Sequence, residues 1–183
     1  TLSSSSAASD VYKRQVLMKS NVDLIVLGIS SKGIEWVSDQ LINLYKESKI
    51  PKLLMLTKGL SIYNNQYELL IDKLERLLSH KGINNADISA VGGPCLAAGL
   101  ANRINSSVVI ANKDLQTAKK IADMLNTHYY HTSHSNDLNG VEVSAAIKNI
   151  FSMAVGAAKG LCSHNASDAV SYTHLTLPTK RIV

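Results

Sequence analysis

The sequence predicts an α/β fold, a parallel sheet with its helices in alternation, followed by one long helix. Three observations carry this. Short runs rich in Val, Ile and Leu, such as NVDLIVLGIS, KLLMLT and SSVVIA, alternate with segments whose apolar residues recur at helical spacing. The runs are apolar without strict alternation, the pattern of strands buried on both faces of a parallel sheet. The stretch Gly140 to Leu161, GVEVSAAIKNIFSMAVGAAKGL, is apolar or small almost all round and too long for a strand.

The first strand is expected within Asn21 to Ser30, buried on both faces, and is followed by a helix with Ile34, Val37, Leu41, Leu44 and Tyr45 on its apolar side. Lys52 to Thr57 gives a second buried strand. Asn65 to His80 reads as a second helix, with Leu70, Leu74, Leu77 and Leu78 inward and Asn65/Glu68 as its start signal. A strand at Ile88 to Val91 runs into Gly92-Gly93-Pro94 and a small-residue helix through Ala101. Ser106 to Ala111 is a further strand, Leu115, Ala118, Ile121, Ala122 and Leu125 mark a further helix, and Tyr129 to Ser133 a last strand before the long helix.

Composition narrows the function classes. At 45% hydrophobic residues the chain of 183 is globular, with length for one domain or the larger part of two. Of its net charge of +5, Lys13 and Arg14 with Asp10 at the start contribute +1 and Lys180 and Arg181 at the end +2, which leaves an unremarkable +2 for the middle. No basic cluster interleaved with aromatics is present, so nucleic-acid binding has little support. Cys95 and Cys162 lack metal spacing and fit a reducing compartment. Neither a signal peptide nor a transmembrane run is visible, and a cytoplasmic protein is expected. Thr1 to Gln15 and Val170 to Val183 break from the pattern between them and read as non-native or disordered tails.

Ligands of open parallel sheets sit beyond the C-terminal ends of the strands. The turns found there are Ser30-Ser31-Lys32-Gly33, Lys58-Gly59 and Gly92-Gly93-Pro94-Cys95. Each can offer backbone N–H groups to an anion at a helix N-terminus, and each is also ordinary loop chemistry. On the long helix, Ser144, Lys148, Ser152 and Gly156 fall four apart in one stripe with Asn149 at its edge. A buried ammonium needs a partner or ligand, so Lys148 faces either a cleft or, on the plainer reading, water.

The run GVEVSAAIKNI followed by MAVGAAKGL resembles the helix that carries the catalytic lysine in NAD-dependent glycerol-3-phosphate dehydrogenases. LTKGL and GGPCLAAGLA resemble two further segments of that family, in the family's order, and the likeness spans roughly Val22 to Ala169. The resemblance implies a partial Rossmann-type parallel sheet leading into the start of an all-α C-terminal domain. It divides the chain into a partial NAD-binding domain at 16–138 and the start of a helical substrate domain at 139–169, between tails at 1–15 and 170–183. It makes Lys148 the general acid/base and Asn149 its neighbour at the substrate. Lys58 comes to the substrate and nicotinamide, Gly93 and Cys95 to the substrate, and Ala97 to the cofactor.

The implied reaction interconverts sn-glycerol 3-phosphate and dihydroxyacetone phosphate with NAD or NADP. A lysine performs the proton transfer near neutral pH only where burial or a neighbouring cation favours its uncharged form. The full-length protein is expected to be a homodimer with small-molecule substrates and no membrane span. Two residues depart from the family pattern: Cys95 stands in place of a hydroxyl, a better donor than a thiol, and Gly99 in place of a glutamate. No G-x-G-x-x-G is present; the family's dinucleotide loop would precede Asn21 and its arginine-asparagine phosphate clamp would follow Val170. The chain alone is therefore expected to turn over little. Two other readings stand beside this one, a β-hydroxyacid dehydrogenase-like oxidoreductase and a non-catalytic α/β binding module.

His128, His131 and His134 could converge on a metal only from a loop, since residues three apart on a strand point to opposite faces. No metal is expected there. Cys162 and His164 make a weak nucleophile and base pair, and His164 with Asn165 resembles the segment that follows the family's lysine helix.

Overall fold

A computed structural model describes residues 22–45 and 51–161. Both tails, Cys162, His164 and Asn165 lie outside the described residues. The chain divides into two compact units, one ending at Val91 and the other beginning at Gly92.

In the first unit, β1 (Leu24–Leu27) leads through a 3-10 turn at Ser31–Gly33 into α1 (Ile34–Tyr45), followed by β2 (Lys52–Met55). A hairpin of β3 (Leu60–Tyr63) and β4 (Gln66–Leu69) precedes α2 (Leu70–Ser79), and β5 (Ile88–Gly92) closes the unit. β1, β2 and β5 form a parallel ladder with β2 in the middle, in register Leu24↔Lys52 and Leu53↔Ile88. Leu53, Leu54 and Met55 are fully buried, as a middle strand covered on both faces requires. The ladder's start is pinned by Lys52 Nζ, 2.6 Å from Asp87 Oδ2. Ile34, Val37 and Leu41 of α1 and Leu70, Ile71, Leu74 and Leu78 of α2 complete the core.

Two sequence expectations are corrected here. The first strand is shorter than Asn21 to Ser30 and is not buried on both faces. Among the described residues it borders β2 alone, and Val26 is 48% exposed. The segment from Asn65 is not helical until Leu70. Asn64 and Asn65 take φ of 50° and 59°, the left-handed pair of a two-residue hairpin turn, with Tyr63↔Gln66 and Ile62↔Tyr67 paired across it. Asparagine tolerates that conformation better than other residues with a Cβ. Glu68 therefore sits on a strand and starts no helix.

In the second unit, α3 (Ala97–Ala101) precedes β6 (Ser106–Ala111), α4 (Leu115–Leu125), β7 (Tyr130–Ser135) and α5 (Leu138–Leu161). β6 and β7 are parallel over six pairs, from Ser106↔Tyr130 to Ala111↔Ser135. Asp114 caps α4 by accepting the amides of Gln116 (3.2 Å) and Thr117 (3.0 Å), and its own amide donates to Asn112 Oδ1 at 2.7 Å. Ala118, Ile121 and Ala122 turn toward Val108 and Ile110 to make this unit's core, with Leu138 and Val141 from the root of α5. Asp137 caps α5 through the Gly140 amide at 2.9 Å. Apart from the β3-β4 hairpin, the ladders described are parallel. The fold is α/β.

Candidate functional site

Each candidate turn follows the C-terminal end of a parallel strand. In the first unit the turns after β1 and β2 are tied to each other. The Thr57 hydroxyl donates to the Ile29 carbonyl at 2.6 Å, and the Leu56 amide to the Leu27 carbonyl at 3.1 Å. The Gly33 amide closes the 3-10 turn on Ser30 O at 2.8 Å, leaving Ser31 and Lys32 exposed. Lys58 is half-buried in the turn after β2, and Gly59 beside it holds φ +140°, which favours glycine. An open cleft of about 360 Å³ adjoins them, lined by Ser31, Lys32, Glu35, Leu60, Ser61 and Lys73 among others. Lys73 Nζ lies 3.0 Å from Glu35 Oε1 on its rim.

The hairpin after Lys58 is fastened to α2 by a group the sequence reading overlooked. Arg76 Nε and Nη2 donate to the two carboxylate oxygens of Glu68 at 2.8 and 3.0 Å, and the Ser61 hydroxyl donates to Glu68 Oε2 at 2.9 Å. The guanidinium carbon lies 3.8 Å from the Tyr63 ring centroid. Hydrogen bonding from Arg76 holds the Glu68 carboxyl below the usual glutamate value against the opposing effect of burial. The available signal was the Asn-Asn pair, readable as a hairpin turn between Tyr63 and Gln66.

In the second unit the turn after β5 packs against the root of α5. A Cβ on Gly92 would stand 2.7 Å from Val141 Cγ1, so only glycine lets helix and strand approach this closely. Gly93 holds φ +135°, and a Cβ there would meet Ser107 O at 2.8 Å. Cys95 is a free, half-buried thiol. Burial first, and a charge on Cys95 second, raise the phenol of Tyr130 above its ordinary range. Ala97 opens α3 and is exposed.

Lys148 and Asn149 lie two turns of α5 beyond Val141, and both are exposed. The sequence led to a helix with core-like apolar residues along its length. Packing ends near Ile147, and Ile150, Phe151 and Met153 are 66%, 46% and 75% exposed. They meet no covering element among the described residues. Gly93, Cys95, Ala97, Lys148 and Asn149 thus belong to one unit and Lys58 to the other.

His128 stacks edge-on to Tyr129, with ring centroids 4.8 Å apart, and His131 is exposed on β7. Among the described residues no group of three or more His, Cys, Asp or Glu could hold a metal ion. No helix among them is long and apolar enough to cross a membrane.

Residues 8–118 match the family model described as the NAD-dependent glycerol-3-phosphate dehydrogenase N-terminus. The chain is 29% identical over 157 residues to the glycerol-3-phosphate dehydrogenase (NAD(P)+) of Mesoplasma florum, covering 86% of this chain and 45% of the relative. It is 30% identical over 166 residues to that of Limosilactobacillus fermentum, covering 89% and 48%. The chain thus spans less than half the length of these curated relatives. Among solved structures, the glycerol-3-phosphate dehydrogenase of Plasmodium falciparum is similar at TM-score 0.65 and 26% identity, over 81% of this chain and 40% of that one. The enzyme of Saccharomyces cerevisiae, at TM-score 0.67 and 21% identity over 84% and 44%, supports the fold alone.

Proposed function

Because the chain belongs to the NAD-dependent glycerol-3-phosphate dehydrogenase family, we propose that it serves the NAD(P)-dependent interconversion of sn-glycerol 3-phosphate and dihydroxyacetone phosphate. The observation that carries this reading is the family match over residues 8–118, which includes both the Lys58-Gly59 and the Gly92-Gly93-Pro94-Cys95 turns. On this reading 16–138 is part of the NAD-binding domain and 139–169 begins the helical substrate domain.

The geometry of the turns fits a nicotinamide nucleotide. Both follow parallel strands, and Gly59, at positive φ with only Leu70 Cδ1 near its missing Cβ, leaves backbone free of side chain where a flat ring can approach. When bound, the nicotinamide supplies the hydride chemistry. Lys58 contacts the substrate and the nicotinamide ring, and Ala97 the cofactor. Gly93 and Cys95 border the substrate, and Asn149 holds its oxygen beside Lys148. Nζ of Lys148 takes the proton from the substrate hydroxyl in oxidation and returns it to the carbonyl oxygen in reduction. A thiol at Cys95 contributes at most a weak hydrogen bond to that substrate.

The test is NADH oxidation by the full-length protein carrying this sequence, with dihydroxyacetone phosphate as substrate and a short 3-hydroxy acid in competition. Turnover with the phosphate and a loss of about 10²–10⁴-fold in Lys148→Ala are expected for a general acid/base. Normal turnover in Lys148→Arg would refute its role.

A further inference from the structure

Lys58 and Gly59 form a two-residue span between two fixed points. On one side Thr57 is bonded to Ile29 O at 2.6 Å. On the other, one residue beyond Gly59, begins the hairpin whose two strands are both gripped at Glu68: β4 supplies the carboxylate, β3 the Ser61 hydroxyl, and α2 the forked guanidinium of Arg76. A bidentate arginine-carboxylate pair fixes orientation as well as distance. The side chains concerned are largely shielded, at 23% exposure for Arg76 and 11% for Glu68. The grip is separate from the packing of α2 itself, which Leu70, Ile71, Leu74 and Leu78 secure from its buried side. Gly59, at φ +140° with only Leu70 Cδ1 near its missing Cβ, adds no stiffness of its own.

We propose that Arg76 and Glu68 are positioning residues for Lys58: acting through the hairpin, they set where its ammonium stands, without touching substrate or cofactor. The proposal rests on the reading that puts Lys58 at the substrate and nicotinamide. Misplacing such a group by about 1 Å is enough to cost roughly 100-fold in rate. Arg76→Lys keeps the charge and loses the fork, so it falls between wild type and Arg76→Met.

The experiment pairs amide hydrogen exchange with a double-mutant cycle in the full-length protein. In Arg76→Met and in the nearly isosteric Glu68→Gln, exchange at Lys58, Gly59 and Leu60 is expected to accelerate about 10- to 100-fold, the scale of a lost charged hydrogen bond. Exchange at Leu53 to Met55 and at Leu74 stays as it was. Turnover of dihydroxyacetone phosphate drops about 10- to 100-fold in Arg76→Met, but not further when Arg76→Met is added to Lys58→Ala, because both changes remove one interaction. Unchanged exchange at 58–60 in a folded variant, or additive losses in the cycle, would overturn the proposal. Should Arg76→Met fail to fold, Glu68→Gln gives the same readouts. Full activity in Lys58→Ala would overturn the assignment of Lys58 itself, and the exchange data would then report a structural clamp alone.

Discussion

Gly93 shows how a residue chosen for chemistry is also constrained by backbone. The sequence marks it as a turn glycine; the structure adds that φ is +135° and that Ser107 O stands where a Cβ would go. Gly93→Ala is therefore expected to destabilise the protein by roughly 2–4 kcal/mol in urea unfolding, combining strain and overlap. A loss under about 0.5 kcal/mol would mean the turn relaxes freely. Glu68 makes a second prediction at this scale. Its folded pKa lies below the ordinary value of 4.5, so its contribution is fully present above that value and is lost as pH falls through the lowered one. Glu68→Gln should remove that part of the acid dependence, read by comparing urea unfolding of the two proteins as pH falls below 4.5. Lys58 and Lys148 were singled out in the sequence because their neighbours carry a recognisable pattern. Arg76 and Glu68 were not, since eight residues separate them and only the unseen hairpin brings them together.

At the level of elements, strand and helix periodicity located β6 and α4 because a buried apolar run and a regular helical stripe are each dictated by one core. Periodicity failed between Asn64 and Leu70. There Glu68 and Leu70 fit a helical register as well as an extended one, and the left-handed asparagines decide the matter. Asn65→Gly should stabilise the hairpin by about 0.5 kcal/mol, since glycine is favoured in that turn, whereas Asn65→Val should cost about 1–2 kcal/mol. Equal stability of the two variants would show that the turn is not held as described. In the helix that follows, Leu74 is fully buried. Leu74→Ala should lower stability by about 2–5 kcal/mol by calorimetry or urea, as a core cavity does.

Across the whole molecule, protection from hydrogen exchange should follow burial. The most protected amides are expected in β2, in α2 near Leu74 and Leu78, in β6 and in α4 near Ile121. In this chain the amides of α5 from Asn149 to Ala157 should exchange fast, because that stretch of helix is exposed on most sides. Slow exchange there would contradict the described packing. The alternation of strands and helices was legible because each buried run must be covered by the next element. The end of packing on α5 near Ile147 was not legible, because an apolar pattern states only that something can pack there. The helix is also a lever. Its fulcrum is the contact of Val141 with the Gly92 backbone, and Lys148 lies seven residues out, about 10 Å along the axis. A tilt of about 6° at the fulcrum carries the lysine roughly 1 Å sideways, a displacement large enough to cost the proton transfer proposed for it. Methyl groups added or removed at position 92 or 141 are thus leveraged into the placement of Lys148, the residue proposed as the general acid/base.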